Sequence, residues 1–217
     1  MTQLLRHTRR DMLAGAAALA ATALVPAGAW ALDGQVDQKE LLAPDALPDV
    51  WLGAADAPLT IIEYASMTCS HCAAFHLETF PLLKKNYIDT GKARFVLREF
   101  PLDALAAAAF MLARYAGDKR EAMVDLLFAQ QKNWAFVDKP LDALENMVKQ
   151  AGIGSEDFKK CLQDNALYQN VLKVRERASS KFGVDSTPTF FLNGQRKKGE
   201  ISPGELDKLL APFLEKK

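Results

Sequence analysis

The residues best suited to chemistry are Cys69-Ser70-His71-Cys72. Two thiols with two residues between them come round one helical turn to the same side. They are then near enough to close a disulfide, or for the second sulfur to resolve a mixed disulfide formed by the first. A strand-like run, Leu59 to Ala65, leads into the pair, and a helix-like run starts near Ser70. A thiol at a helix N-terminus faces unpaired backbone N–H groups and the positive end of the dipole, which favours thiolate over thiol. That context makes Cys69 the attacking nucleophile. Cys72 is the resolving thiol, more buried and harder to ionise. His71 would donate to the Cys69 thiolate, or sit close enough to stabilise its charge.

Glu63 is an acid on an otherwise apolar strand, on the face shared by Ile61 and Ala65. A buried carboxyl beneath the two cysteines could exchange a proton with the Cys72 thiol; the alternative is a surface acid on an edge strand. The third cysteine, Cys161, reads as a small buried hydrophobe. A different class of function remains open, because Cys69 and Cys72 could be half of a metal site. Structural zinc usually takes four ligands, and His71, His76 and Cys161 are the candidates to complete a set. The redox reading needs no metal and no cofactor, since the two sulfurs carry the electrons.

These residues must be positioned by a chain of 217 residues, 49% hydrophobic and 25% charged, an ordinary globular composition with length enough for a full core. The zero formal charge gives no reason to expect nucleic acid or anionic lipid as a partner. Three cysteines, two of them in one C-x-x-C, do not make a disulfide framework. Residues 1 to 31 read as an export signal: Arg9-Arg10 is followed by an Ala-rich apolar stretch to Val25 and by Ala29-Trp30-Ala31, an A-x-A cleavage site. The apolar stretch is too short to span a bilayer. A mature chain from Leu32 would then work in an oxidising extracytoplasmic space such as the periplasm, where disulfides persist.

Residues 32 to 50 read as an arm without a motif, with too few apolar positions for an oligomerisation stalk, so a monomer is expected. The helix from the cysteine pair should run to Gly91 with a kink at Pro81. Ala93 to Phe100 reads as a strand, giving a strand-helix-strand unit with parallel strands. From Leu102 to about Phe182 the pattern is helical throughout, with a buried helix near 103 to 116 and a cap at Asp138 before Pro140. Trp134 and Phe136 are expected in its core. The β pattern returns at Thr187 to Leu192, turns at Asn193-Gly194, and continues as a basic edge strand, 195 to 199. Ser202-Pro-Gly-Glu205 is a capping box that starts a closing helix.

This order, with the Cys-Ser-His-Cys site after an apolar strand, Glu63 six residues before it and Thr187-Pro188 before another apolar strand, resembles the DsbA-like thiol:disulfide oxidoreductases. The resemblance implies an α/β, thioredoxin-like fold with an inserted all-helical subdomain. Residues 51–101 and 183–217 would form the thioredoxin-like part and 102–182 the insertion. It implies that Pro188 is cis beside the cysteines, and that Thr187 and Pro188 present backbone to an extended protein substrate by strand-like pairing. It also implies disulfide transfer from Cys69–Cys72 to reduced or misoxidised proteins, and a membrane redox partner that resets the pair. Ser70 and Thr187 stand where the best-studied oxidases of the group have Pro and Val, so an isomerase or reductase of the same fold is the rival.

Overall fold

The computed structural model describes residues 32–215; the proposed export signal lies outside them. The elements run β1 (Leu32–Gln35), α1 (Gln38–Leu41), β2 (Leu59–Ala65), α2 (Ser70–Ala74), α3 (Phe80–Leu83), β3 (Ala93–Glu99) and α4 (Ala104–Tyr115). There follow α5 (Arg120–Ala129), α6 (Gln131–Trp134), α7 (Pro140–Gln150), α8 (Ser155–Leu162) and α9 (Asn165–Phe182). The chain closes with β4 (Thr189–Leu192), β5 (Gln195–Lys198) and α10 (Pro203–Leu214). Among the described residues the strands make one sheet in the order β1-β5-β4-β2-β3. β2 and β3 are parallel and the other pairings antiparallel. This is a thioredoxin-like fold with a run of helices between β3 and β4.

All seven residues of β2 are buried, as befits the strand between β4 and β3 with both faces covered. Its continuous apolar run therefore puts Glu63 inside the molecule and not at a surface edge. The Asn193-Gly194 turn takes positive φ at both residues, 48° and 86°, the geometry of a tight two-residue hairpin. Asn193 also ties the turn to β2, accepting from Thr60 N at 2.8 Å and donating to Pro58 O at 3.1 Å.

Several expectations are corrected by tertiary context. The arm does not hang free, since β1 pairs with β5 and Val36 N donates to Gly194 O at 2.9 Å. A side chain at Gly194 would meet Val36 O at 2.5 Å, so glycine is needed there for approach as well as for φ. β5 is accordingly covered and is not the edge. The helix after the cysteines carries two π segments, Phe75–Thr79 and Lys84–Ile88, flanking α3. Pro81 falls in the first turn of α3, where its missing N–H is absorbed by the widened turn before it. Pro140 occupies the first turn of α7, so the cap position falls on Lys139 and not on Asp138. Trp134 is fully buried, with Nε1 donating to Leu127 O at 2.8 Å, whereas Phe136 is 57% exposed in the turn beyond it.

Charged side chains lock the helices to the sheet. Glu99, at the end of β3, is buried between Arg114 of α4 and Arg120 of α5 at 2.7 and 3.0 Å. Arg98 is buried against Asp49, Leu41 O and Tyr64 OH, which fixes the 32–50 segment. Two contacts set the loop between β2 and α2. Asp103 caps α4 through Ala106 N at 2.7 Å and accepts from the Thr68 hydroxyl at 2.6 Å. Gln131, buried at the start of α6, donates through Nε2 to Met67 O at 2.8 Å and Cys69 O at 3.0 Å.

Cys69 O also accepts from Ala73 N, so the carbonyl that depends most on Gln131 is that of Met67. Replacing Gln131 with Leu should cost about 1–3 kcal/mol by stranding it. Amide hydrogen exchange of residues 67 to 72 should rise in that variant more than exchange in β4. Equal protection in both segments would show that Gln131 does not hold the loop.

Candidate active site

β2 ends at Ala65 and the chain turns over Ser66 to Thr68, with Cys69 N bonded to Ser66 O at 3.1 Å. Cys69 is the N-cap of α2, in extended conformation with φ −88° and ψ 120°. Its sulfur is therefore at the mouth of the helix, while Cys72, one turn on, faces the core. Cys69 retains 8% exposure and Cys72 none, so an incoming sulfur can reach only the first. Both are free thiols in this structure.

The two sulfurs have opposite electrostatic fates. Cys69 is brought down to about 5. The largest cause is a hydrogen bond from the Cys72 thiol, opposed by partial desolvation and helped by Thr187 and by the N–H groups of Cys72 and His71. Those N–H groups lie near the sulfur without closing a formed cap bond; they are the unpaired donors of a helix start. Cys72 is pushed well up by burial, by its role as donor to Cys69, and by the nearby Glu63 charge.

Thr187-Pro188 is cis. As a thiol, Cys69 donates to Thr187 O at 3.3 Å. The Thr187 hydroxyl is buried without another hydrogen-bond partner, which leaves it available to a charged sulfur. His71 is placed differently from expectation: its imidazole is largely exposed and its Nδ1 meets Glu200 Oε2 at 3.1 Å. The contribution of residue 71 to the thiolate thus comes from its backbone. Glu63 is fully buried, and its Oε2 meets His76 Nε2 at 2.8 Å. His76, the i+4 neighbour of Cys72, was visible in the sequence only as a candidate metal ligand; helical spacing was the available signal.

Cys161 is buried in α8, and desolvation, with a smaller effect from Asp164, raises it to about 12. The candidate metal ligands are not gathered: no group of three or more His, Cys, Asp or Glu among the described residues could hold an ion. No described helix is long and apolar enough to cross a membrane.

A family model described as Thioredoxin matches residues 45–211. The crystal structure of Wolbachia pipientis alpha-DsbA1 is similar at 28% identity and a TM-score of 0.75, covering 83% of this chain and 97% of that one. The chain belongs to the DsbA-like branch of the thioredoxin family. A Rickettsia bellii protein provisionally named a protein-disulfide oxidoreductase is 35% identical over 148 residues, 67% of this chain and 57% of that protein. A Bacillus cereus protein provisionally named disulfide bond formation protein D is 30% identical over 152 residues, 66% of this chain and 69% of that one. This DsbA-like chain therefore spans a little over half the length of the Rickettsia relative.

The depressed Cys69 pKa is also a stability statement. A thiol that ionises near 5 when folded and near 8.5 when unfolded stabilises the reduced fold fully above the unfolded value, and the gain disappears as pH falls through about 5. At pH 7 this amounts to about 2 kcal/mol, after discounting for the partial exposure of the sulfur. Oxidation removes the charge, and a loop this short restricts the unfolded chain little. Denaturant unfolding should find the reduced form more stable than the oxidised one at neutral pH, with the gap closing in acid. A gap independent of pH would contradict the link to the thiolate.

Proposed function

We propose that the protein is an exported thiol:disulfide oxidoreductase that introduces disulfides into protein substrates. The observation that carries this reading is the asymmetry of the pair: a reachable sulfur held as thiolate beside a buried one held as thiol. Stabilising the reduced pair makes the disulfide form a strong oxidant. A substrate thiolate attacks Cys69 of the Cys69–Cys72 disulfide; a mixed disulfide forms at Cys69, and Cys72 departs and takes up a proton. A second substrate thiolate then attacks the substrate sulfur of the mixed disulfide. The substrate leaves with a disulfide, and Cys69 leaves as the thiolate. Two electrons pass to the enzyme, and a membrane redox partner takes them away.

Thr187 and Pro188 lie beside Cys69 at the start of β4 and would pair with an extended substrate, which suits varied unfolded proteins. Export rests on residues 1 to 31, in particular the twin arginine and the A-x-A site. The rival direction, isomerase or reductase, rests on the resemblance alone: Thr187 stands where the best-studied oxidases of the group have Val.

Equilibration against glutathione separates the directions. The oxidase reading expects a potential near −120 mV, as for DsbA itself; a value near −270 mV, as for thioredoxin, moves the assignment to the reductase. Replacing Thr187 with Val, which keeps the β-branched shape and loses only the hydroxyl, should raise the Cys69 pKa and shift the potential. An unchanged potential would show that the hydroxyl does not tune the chemistry.

The unequal roles of the sulfurs are tested by single replacements. Cys69→Ser should abolish oxidation of a reduced test protein, and Cys72→Ser should accumulate mixed disulfides through Cys69. Absence of adducts in the second variant, with the wild type active, would reverse the roles.

A further inference from the structure

The exchange chemistry proposed above consumes substrate thiolates, whereas an ordinary thiol, with a pKa of about 8.5, is mostly protonated at neutral pH. Each attack by substrate therefore needs a proton removed at the rim where Cys69 is reached. One side chain at that rim has no part in holding the Cys69 charge. The His71 imidazole is 72% exposed, and its Nδ1 lies 3.1 Å from Glu200 Oε2. A carboxylate can only accept, so Nδ1 carries the hydrogen and the neutral ring keeps its lone pair on Nε2. The bond that draws the ring to Glu200 thus fixes the tautomer and leaves a proton acceptor on an exposed ring, two residues after the nucleophile.

Glu200 is presented by a short stretch between β5 and α10 that is fixed on both sides. Gly199 N donates to Pro188 O at 2.9 Å, which joins the stretch to the cis-proline turn. Ile201 O accepts from the Thr79 hydroxyl at 2.7 Å, and Ser202 N donates to Glu205 Oε2 at 2.8 Å in the capping box of α10. Thr79 ends the π segment that continues α2, the helix of His71, and Pro188 follows the residue whose carbonyl accepts from Cys69. The ring, its carboxylate, the reachable sulfur and the cis-proline turn are therefore tied to one another. The charged groups around the pair are Cys69 on α2 and Lys197, whose Nζ donates to Lys198 O at 2.8 Å and Glu200 O at 3.5 Å. An exposed pair of this kind contributes little to stability. What it supplies is an oriented base, the arrangement by which a carboxylate prepares a histidine to activate a nucleophile.

We propose that His71 and Glu200 form a base dyad that takes the proton of the incoming substrate thiol, His71 as the group that meets substrate and Glu200 as the residue that positions it. The dyad presupposes the exchange reaction proposed above and assigns the activation of its substrate. Nε2 accepts the proton of the substrate S–H as that sulfur attacks Cys69; the Cys69–Cys72 bond breaks, and Cys72 leaves with the bonding pair. The exposed ring passes the proton to solvent and meets the second substrate thiol in the same state. That sulfur attacks the substrate sulfur of the mixed disulfide and expels Cys69 as the thiolate. Two substrate protons leave through His71, Cys72 takes up one, and two electrons stay on the reduced pair. The substrates that gain most are proteins whose cysteines are weakly acidic, since their thiolate fraction at neutral pH is smallest.

The test uses two small neutral thiols of different acidity, trifluoroethanethiol and the less acidic mercaptoethanol. Loss of the Cys69–Cys72 disulfide from oxidised protein in excess thiol is followed by acid quench and mass spectrometry across the neutral and alkaline range. His71→Ala should slow the reaction with mercaptoethanol about tenfold or more at neutral pH. Trifluoroethanethiol, already partly ionised there, should lose less, and both deficits should close towards the pH at which each thiol is ionised in solution. Imidazole added to the buffer should restore part of the lost rate with mercaptoethanol. Glu200→Gln, which keeps an acceptor for Nδ1 and removes the charge, should slow mercaptoethanol about threefold with the same dependence on pH. A loss that is equal for the two thiols, or that persists when they are ionised, places the effect on the disulfide and overturns the dyad, as do wild-type rates in His71→Ala. A loss in His71→Ala with wild-type rates in Glu200→Gln overturns the role of Glu200. Failure of the wild type to react with either thiol overturns the exchange reading and the dyad with it, whereas normal exchange without dependence on thiol acidity in the variants overturns the dyad alone.

Discussion

A negative charge on one nearly buried sulfur is the constraint that organises this molecule. Cys69 can hold it near neutral pH because donors converge there: the thiol of Cys72, Thr187 on the facing strand connection, and the unpaired N–H groups at the start of α2. None of these is strong alone. Their joint effect depends on the sulfur being fixed at the helix mouth, where the donors already point, so that little reorganisation accompanies ionisation.

Fixing that position draws on distant parts of the chain. The loop before Cys69 is tied by Asp103 and Gln131, both from the helical run between β3 and β4. Those helices are in turn joined to β3 by the buried Glu99 with Arg114 and Arg120. A buried ion group of this kind contributes little net stability compared with apolar packing, but removal of one member leaves an uncompensated charge. The helical run therefore does more than cover the sheet. It sets the register of the nucleophile.

Much of this organisation was legible in the sequence because it is local. Apolar runs and turn residues marked β2, β3, β4 and the Asn193-Gly194 hairpin, and the capping box marked α10. The two thiols could be placed by helical spacing; Glu63 stayed open between core and surface, because alternation does not decide a strand covered on both faces, and Pro188 needed the family resemblance. What escaped was set by long-range contacts. The 32–50 segment has no apolar pattern of its own, and its strand exists because β5 offers a free edge. His71 was assigned to the nearer charge, yet its ring meets Glu200, 129 positions away. Gln131 and His76 carry no motif; their significance comes from which carbonyl or carboxylate the fold brings opposite them.

The central claim is that one thiol of three is poised to ionise in acid while the others are held protonated. Ultraviolet absorbance of the thiolate, followed by pH titration of the fully reduced protein, addresses it most directly. The account predicts one thiolate per chain appearing with a midpoint near 5, with Cys161 silent until about 12 and Cys72 silent well above the ordinary thiol range. A first midpoint near 8.5, the value of an unperturbed thiol, or two thiols ionising together, would contradict it.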